Sequence, residues 1–444
     1  MNNTLSTYSG LWKVAYPIII GLVAQNIMLV IDTAFLGQLG AVTLGAAAIG
    51  GLFFLCIVML ATGFSVGVQI LVGRRNGERK YKQIGIIMVH SIYLIIMIAL
   101  ICFAIITFIA PSLLESYINS DAVFKESITF LDYRKFGLFF GFLVLVFNAF
   151  YIGTIKTSIV SIGTIIMAIV NIVLDYGLIF GNLGLPQMGI AGAAIATNIA
   201  EFSTFLFYIA YGLHFKRFSK YKMFSIITIS KPIIRRLLNL SIPVMFQYFL
   251  SFAAWFVFFL IIEKKGEIAL ASSNIVRSIY MFLMIPVWGL SSSINSLVSN
   301  TIGEGRISMV MPLVKKVVIL AILCSLVMLI APLLIPHTIV SFYTKDPAII
   351  NAAIPLIYVI SVALLAFSVS MIIFSALSGT GKTLVALKIE VICIMLYLIS
   401  AYILSNVLKV STPMVWTVEI IYFSLIGIFS AYYLLKGNWK QLKI

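Results

Sequence analysis

Residues 158–181 read SIVSIGTIIMAIVNIVLDYGLIFG, an apolar run of 24 residues whose single charged side chain is Asp175. A segment of about 20 apolar residues is long enough to cross the hydrocarbon core of a bilayer as a helix. A carboxylate at that depth costs on the order of 2.5 to 3.5 kcal/mol, so a functional role is expected for it. Asn171 stands four residues before Asp175, on the same helix face, where both side chains can serve one site.

The whole chain has the composition of a polytopic membrane protein. Of its 444 residues, 62% are hydrophobic and 10% are charged, whereas soluble domains carry about 25% charged residues. Counting about 20 apolar residues per span, we predict an all-α membrane protein with twelve transmembrane helices. The predicted spans are 11–36, 45–73, 84–110, 130–153, 158–181, 189–214, 237–262, 269–299, 312–335, 350–377, 384–408 and 414–435.

The formal net charge of +16 is distributed in a way that indicates membrane topology. Basic residues follow the even-numbered spans, whereas the intervening loops are neutral or mixed in charge. The positive-inside rule then places both termini in the cytoplasm, and we expect a multi-pass protein of the cell's inner (plasma) membrane. Nucleic acid is not expected as a partner, because the cations are spread over short loops and do not form one basic face.

The chain repeats itself at a shift of 226 residues. The matched pairs are Pro17 with Pro243, Gly63 with Gly289, Tyr117 with Tyr343, and Gly153-Thr-Ile-Lys-Thr157 with Gly379-Thr-Gly-Lys-Thr383. Two six-span copies enter the membrane in the same orientation, so we predict a pseudo-two-fold axis along the membrane normal. The predicted domains are an N-lobe at 1–214, a basic cytoplasmic linker at 215–236 and a C-lobe at 237–444.

The polar residues inside the spans are not repeated. At the same shift, Asp32 falls on Phe258, Asn171 on Tyr397, Asp175 on Ala401 and Glu201 on Gly427. Folding of the six-span unit therefore does not require them, and a functional role is favoured over a structural one. Asp32 and Asp175 are the only Asp residues deep in apolar runs, and we interpret them as the working site.

Four further polar residues lie within the predicted spans of the first copy. Thr197 and Glu201 share a helix face after the small residues at 189–196, which allow close helix packing. Glu201 is a candidate third carboxylate in a substrate cavity, the alternative being a packed helix interface. Gln25 and Asn148 are candidates for the cavity wall, the alternative being that their amides bridge helices.

These features together resemble the multidrug and toxic compound extrusion (MATE) family. The resemblance rests on the two six-span repeats and on three motifs, which are Pro17 fifteen residues before the Asp of Val30-Ile-Asp-Thr-Ala-Phe-Leu-Gly-Gln-Leu-Gly40, Asn171-x3-Asp175, and Gly192-Ala-Ala-Ile-Ala-Thr197. It covers essentially the whole chain and is nearest to the prokaryotic DinF-like branch. The resemblance implies an N-lobe cation site made by Asp32, Asn171, Asp175 and Thr197, with Gln25 and Asn148 lining the N-lobe cavity.

The sequence departs from the family pattern at several positions. Tyr176 stands where related sequences often carry Pro, and Ser251 stands where other MATE branches carry an acidic residue. The tenth span has no Asp either. These departures argue against a C-lobe cation site of the NorM type.

We predict a secondary-active exporter of amphipathic, cationic organic compounds, driven by inward movement of H⁺ or Na⁺. Asp32 and Asp175 could share a proton, or hold Na⁺ with the oxygens of Asn171 and Thr197. Pro17 lacks a backbone donor and could kink the first span as a conformational hinge. No cofactor beyond the coupling ion is expected. The partners would be the organic substrate and membrane lipid, and a monomer is expected because the cavity would be complete in one chain.

An enzyme is not predicted, because the sequence offers no nucleophile–base arrangement and its three histidines lack ligand spacing. The alternative function is a flippase for a lipid-linked or anionic amphipathic precursor. An anionic headgroup would require Arg or Lys inside the cavity. Arg277 in the eighth span favours this alternative. The N-lobe spans are predicted to carry no deep cation, since Arg134 and Lys135 fall near the end of a predicted span.

Overall fold

The computed structural model describes residues 7–223 and 229–440, and every regular element within them is helical. The helices are α1 (Tyr8–Gln38), α2 (Ala41–Gly77), α3 (Tyr81–Ala104), α4 (Ala110–Tyr117), α5 (Asp121–Arg134), α6 (Gly137–Gly153), α7 (Thr157–Phe180), α8 (Gly189–His214), α9 (Arg217–Tyr221), α10 (Lys231–Glu263), α11 (Glu267–Gly303), α12 (Val310–Leu334), α13 (Pro336–Ser341), α14 (Pro347–Gly379), α15 (Thr383–Tyr402), α16 (Thr412–Trp416) and α17 (Val418–Lys436). Part of the predicted linker, 224–228, lies outside the described residues, as do the two chain ends.

The predicted all-α membrane fold is confirmed. Eleven helical stretches in the described part of the chain are long and apolar enough to cross a membrane, and a twelfth candidate is the pair α5–α6, bent by 55°. The fourth span was predicted to begin at residue 130, but α5 begins nine residues earlier, at Asp121. The early turns of α5 carry several charged side chains, so apolar length alone could not reveal where this helix begins. The orientation of the termini remains a prediction.

The repeat predicted from the sequence is visible in the helix boundaries. Helices α2 and α11 match residue for residue at the shift of 226. Each follows a glycine in a backbone conformation that L side chains rarely adopt, with φ +115° at Gly40 and φ +106° at Gly266. The copies also differ: α5 and α6 together correspond to α14, which runs without a break.

The chain forms two compact units. One consists of Ile20–Met245, and the other of Met1–Ile19 together with Phe246–Ile444. The division falls inside α1 and inside α10, in each case two residues beyond a proline, Pro17 or Pro243. A proline inside a helix removes one hydrogen bond of the backbone ladder. The predicted lobe boundaries and the hinge role of Pro17 stay predictions.

Helix packing within the unit Ile20–Met245 brings three polar segments to one place. Helix α7 packs along α8, and α8 also contacts α5 and α6, while α2 contacts α3, α5 and α6. In the other unit, α14 is central and contacts α11, α12 and α17, and α15 packs on α17. The site described below lies wholly within Ile20–Met245.

The backbone at Gly40 provides a test of the fold. Substitution Gly40→Ala should lower the free energy of unfolding by about 1–3 kcal/mol, because an alanine is strained at this positive φ. Gly45→Ala is the matched control: no described atom lies within 4 Å of an added Cβ at either position, but Gly45 is helical. The control should raise the stability by about 0.5–1 kcal/mol. Equal effects in a denaturant titration in micelles would contradict the assigned backbone conformation.

Candidate functional site

Asp32 on α1 and Asp175 on α7 face each other. Their carboxyl groups lie within hydrogen-bonding range. Asp175 has no exposed surface, and Asp32 is partly buried. Two ionised carboxylates in this position repel each other. They can form a hydrogen bond with each other only when one of them is protonated. The pair is therefore suited to hold a proton or another cation.

The oxygens around this pair have no donors. Asp32 Oδ1, both Asp175 carboxyl oxygens and Asn171 Oδ1 are buried and accept no hydrogen bond from any described residue. A buried polar atom without a partner costs about 1–3 kcal/mol, and more if it is charged. An oxygen cluster with no donors is the arrangement that a bound cation would satisfy.

Asn171 and Thr197 complete this cluster from α7 and α8. The Asn171 Nδ2 donates to Thr197 Oγ1 at 3.2 Å, and the Thr197 hydroxyl donates to the Ala193 carbonyl at 2.9 Å. The Asn171 amide nitrogen is thereby held by α8, and its carboxamide lies beside Asp175. The four residues predicted for the cation site are thus brought together on three helices. That they bind a cation remains a prediction.

An apolar layer lies one helical turn beyond the polar cluster. Leu36 follows Asp32 by four residues, Ile179 follows Asp175 by four, and Ala193 precedes Thr197 by four. These three residues belong to one buried hydrophobic cluster, together with Ala46 and Ile190. Because α8 is antiparallel to α7, all three lie on the same side of the cluster. The layer lies between the carboxylates and the end of the lobe at which α1 and α7 finish.

Glu201 does not join the carboxylate pair, because it forms an ion pair with Arg134. Arg134 Nη2 lies 2.5 Å from Glu201 Oε1, and Arg134 Nη1 lies 2.9 Å from Glu201 Oε2. Arg134 itself is only 7% exposed. The prediction that the N-lobe spans carry no deep cation is therefore wrong: α5 is longer than predicted and places Arg134 inside the fourth span. The assignment of Glu201 to the substrate cavity stays a prediction.

Asn148 and Gln25 have different surroundings. The Tyr208 hydroxyl donates to Asn148 Oδ1 at 2.6 Å, so this amide joins α6 to α8. Tyr208 is completely buried and was not identified from the sequence, where one aromatic among many carries no distinguishing signal. Gln25 is exposed on α1. The predicted roles of Asn148 and Gln25 in the cavity wall stay predictions.

Two carboxylates in the other unit, Glu390 on α15 and Glu419 on α17, are buried and hydrogen-bonded. Glu390 and Glu419 are each only 3% exposed. Glu390 accepts hydrogen bonds from Ser251 and Tyr422, both at 2.6 Å. Glu419 accepts one from Tyr397 at 2.7 Å. Hydroxyl donors compensate the burial, and sequence position alone does not reveal that compensation.

The described residues contain no group of three or more His, Cys, Asp or Glu side chains that could hold a metal ion together. The cluster on α1, α7 and α8 offers a different donor set, made of carboxylate, amide and hydroxyl oxygens. Oxygen donors suit hard cations such as Na⁺. The residues present are compatible with either H⁺ or Na⁺.

Two six-helix repeats with a carboxylate pair inside one of them are typical of membrane transporters. The MatE family model matches residues 17–177 and again 243–403. The two matches stand at the same shift of 226 as the repeat and together cover more than half of the chain. The protein belongs to the MatE family of transporters. This confirms the family resemblance noted in the sequence, while the branch within the family stays a prediction.

Similar proteins agree with this assignment. The chain is 25% identical over 384 residues to a probable multidrug resistance protein NorM of Pasteurella multocida, covering 86% of this chain and 82% of the relative. It is 26% identical over 387 residues to the protein of the same name from Thermotoga maritima, covering 86% and 82%. A MOP superfamily transporter from Pyrococcus furiosus has the same fold, with a TM-score of 0.88, 21% identity, and 96% and 95% of the two chains covered. A mutant of the Vibrio cholerae MATE transporter VcmN superposes with a TM-score of 0.89 at 17% identity, covering 99% and 100%.

The unsatisfied oxygens predict how stability responds to cations. Adding Na⁺, or lowering the pH, should raise the melting temperature of the wild-type protein, because a ligand that binds the folded state more tightly than the unfolded state stabilises the fold. For a ligand that binds the folded state alone, the gain is about 2.7 kcal/mol at 100 times its Kd. Asp175→Asn gives Asp32 an amide donor and should reduce this response strongly. Asp132→Asn, at an exposed carboxylate on α5, should respond like the wild type. Equal responses in all three proteins would show that the pair holds no cation.

Proposed function

We propose that this protein is a secondary-active multidrug exporter, which exchanges an amphipathic, cationic organic compound for H⁺ or Na⁺. The observation that carries the proposal is the pair Asp32–Asp175, with buried oxygens that no described residue satisfies. The relatives named as probable multidrug resistance proteins support the substrate class. No covalent step is needed, because a transporter requires only different affinities in its different states.

The carboxylate pair provides the coupling by electrostatics. Without a bound cation, the pair carries negative charge in a region of low dielectric constant and attracts an organic cation into the lobe. Loading the pair with H⁺ or Na⁺ reduces that charge and weakens the attraction. The coupling ion and the substrate thus disfavour each other's binding, and linkage requires the effect to be reciprocal. Such mutual exclusion is the property that an antiporter needs.

Helix α1 connects cation binding to the rest of the molecule. It carries Asp32 fifteen residues after Pro17, and the boundary between the two compact units crosses it two residues beyond that proline. Binding of a cation between Asp32 and Asp175 draws the second half of α1 toward α7. The missing backbone hydrogen bond at Pro17 lets the two halves of α1 change their angle. We therefore propose Pro17 as the hinge.

The same four residues can accommodate either coupling ion. A proton shared by Asp32 and Asp175 supplies the missing donor between them. A sodium ion would instead take oxygens of both carboxylates and of Asn171 and Thr197, all oxygen ligands of the kind that hard cations prefer. We further propose a monomer in the inner membrane with both termini in the cytoplasm, following the loop charges.

The second candidate function is a flippase for an anionic amphipathic precursor, and Arg277 favours it. The guanidinium of Arg277 is half-buried in α11 and stacks on Phe259, 4.9 Å from the ring centroid. A cation inside a span could receive an anionic headgroup. Arg134, a buried cation of the other unit, argues less for this function, because Glu201 neutralises it.

Transport in proteoliposomes tests the proposal. Ethidium efflux should be driven by an imposed pH gradient or Na⁺ gradient, whichever ion couples. It should fall to the rate of protein-free vesicles in the Asp32→Asn variant, because Asp175 then faces an amide donor and no longer shares a cation with a second carboxylate. Asp132→Asn is the control and should transport at the wild-type rate, because its side chain is exposed and paired with Lys135.

Gradient-driven efflux by folded Asp32→Asn protein at the wild-type rate would contradict the proposed coupling site. Absence of efflux from wild-type vesicles under either gradient would favour the flippase. In that event, translocation of a fluorescent anionic lipid should be lost on Arg277→Gln substitution.

A further inference from the structure

The guanidinium of Arg134 is surrounded by groups that stabilise its positive charge. It is the last residue of α5, and its side chain donates to both oxygens of Glu201 and, through Nη1, to Asn198 Oδ1 at 2.7 Å. Its guanidinium also lies over the ring of Phe54, 4.3 Å from the centroid. The ion pair with Glu201 is largely buried, with side-chain exposures of 9% and 13%.

The backbone around this ion pair is specific to the first repeat. Helices α5 and α6 are bent by 55° directly after Arg134, whereas α14 continues through the corresponding position, Ile360. Gly137 and Gly141 make room for the pair, because a Cβ at Gly137 would collide with the guanidinium and one at Gly141 would lie 2.8 Å from Glu201 Oε1.

The second repeat fills this space with apolar or small residues. Arg134 falls on Ile360, Glu201 on Gly427, Gly137 on Ala363 and Gly141 on Phe367. Folding of the six-helix unit therefore does not require the ion pair. Replacing a buried ion pair by packed apolar residues is often neutral or stabilising, so the pair is weak as a purely structural device. Its presence in the same repeat as Asp32 and Asp175 favours a role in their function.

The ion pair is adjacent to the proposed cation site. Glu201 lies four residues along α8 from Thr197, a rise of about 6 Å on one helix face. Arg134 is close enough to Asp32 for its charge to act on that carboxyl group. Arg134, Glu201 and the carboxylate pair all lie inside the unit Ile20–Met245.

We propose that Arg134 is the mobile counter-ion of the N-lobe cation site, shared between Glu201 and the pair Asp32–Asp175. This inference rests on the proposed function. While H⁺ or Na⁺ occupies the pair, Glu201 holds the guanidinium. When the cation leaves, the guanidinium turns toward the carboxylates and offsets part of the negative charge that they carry in the low-dielectric interior. Arg134 thereby lowers the affinity of the site for its cation and promotes release.

Among the described residues, charged groups near Arg134 can be separated by mutation. They include Glu201 on α8, Asp32 on α1, and the neighbouring Asp132 and Lys135, which pair with each other at 2.8 Å. Helix α2 contributes the uncharged ring of Phe54. Asp132 provides a control, because it is a carboxylate on the same helix turn whose partner is not Arg134.

The test compares Glu201→Gln with the double variant Arg134→Gln/Glu201→Gln. Glu201→Gln releases the guanidinium to compete at the carboxylate pair, so the half-saturating concentration of the coupling cation should rise about tenfold, within the usual range of coupling between sites. The double variant removes the competing charge, and the half-saturating concentration should fall below the wild-type value. Cation titrations of the purified protein followed by intrinsic fluorescence measure this, independently of transport.

A purely structural ion pair would not produce opposite changes in the two variants. Wild-type half-saturation in both variants, or the same shift in both, would overturn the proposal. Asp132→Asn should leave the value unchanged. If Glu201→Gln does not fold, the double variant decides alone, because it leaves no unpaired charge. It should then bind the cation more tightly than the wild type and exchange ethidium more slowly, and wild-type values for both would overturn the assignment.

Asp32→Asn, titrated in parallel, separates this proposal from the proposed function. Loss of the cation response in Asp32→Asn, with unchanged half-saturation in the Glu201 and Arg134 variants, would refute the counter-ion alone. A full cation response in Asp32→Asn would refute the cation site itself, and with it both proposals.

Discussion

Two carboxyl groups that face each other inside a membrane protein constrain everything around them. Asp32 and Asp175 lie within hydrogen-bonding range, and their orphaned oxygens have no donor among the described residues. Such a cluster is unfavourable unless a cation satisfies it. The packing of α7 on α8, the Asn171–Thr197 hydrogen bond and the apolar layer beyond them hold Asp175 and Asn171 in a buried position. A cation that binds reversibly would satisfy these oxygens.

The two repeats place different side chains at matching positions of the same helix packing. Where the first repeat has Asp32 and Asn171, the second has Phe258 and Tyr397, whose ring centroids lie 5.5 Å apart. The Tyr397 hydroxyl donates to Glu419, and Tyr422 and Ser251 satisfy Glu390, so the carboxylates of the second repeat have donors of their own. Among the described residues, the first repeat leaves buried oxygens of its carboxylate pair without donors. We therefore propose that the coupling cation binds in that repeat.

Much of this arrangement could be predicted from the sequence. Apolar run lengths predicted the helices, the shift of 226 predicted the repeat, and the failure of Asp32, Asn171 and Asp175 to repeat singled them out. The partner of Glu201 could not be predicted, because the charged early turns of α5 hide the fact that Arg134 lies inside a span. The burial of Glu390 could not be predicted either. Its compensation comes from hydroxyls on two other helices, and that contact exists only after packing.

The most direct test of the central claim is a count of the cations released when a substrate binds. Purified wild-type protein in weakly buffered detergent solution should release about one H⁺ or Na⁺ per chain on saturation with ethidium, since substrate and coupling ion exclude each other through one carboxylate pair. Release should be absent from Asp175→Asn protein that still binds ethidium. If that variant released as many cations as the wild type, the coupling ion would be held elsewhere, and the assignment to Asp32 and Asp175 would be wrong.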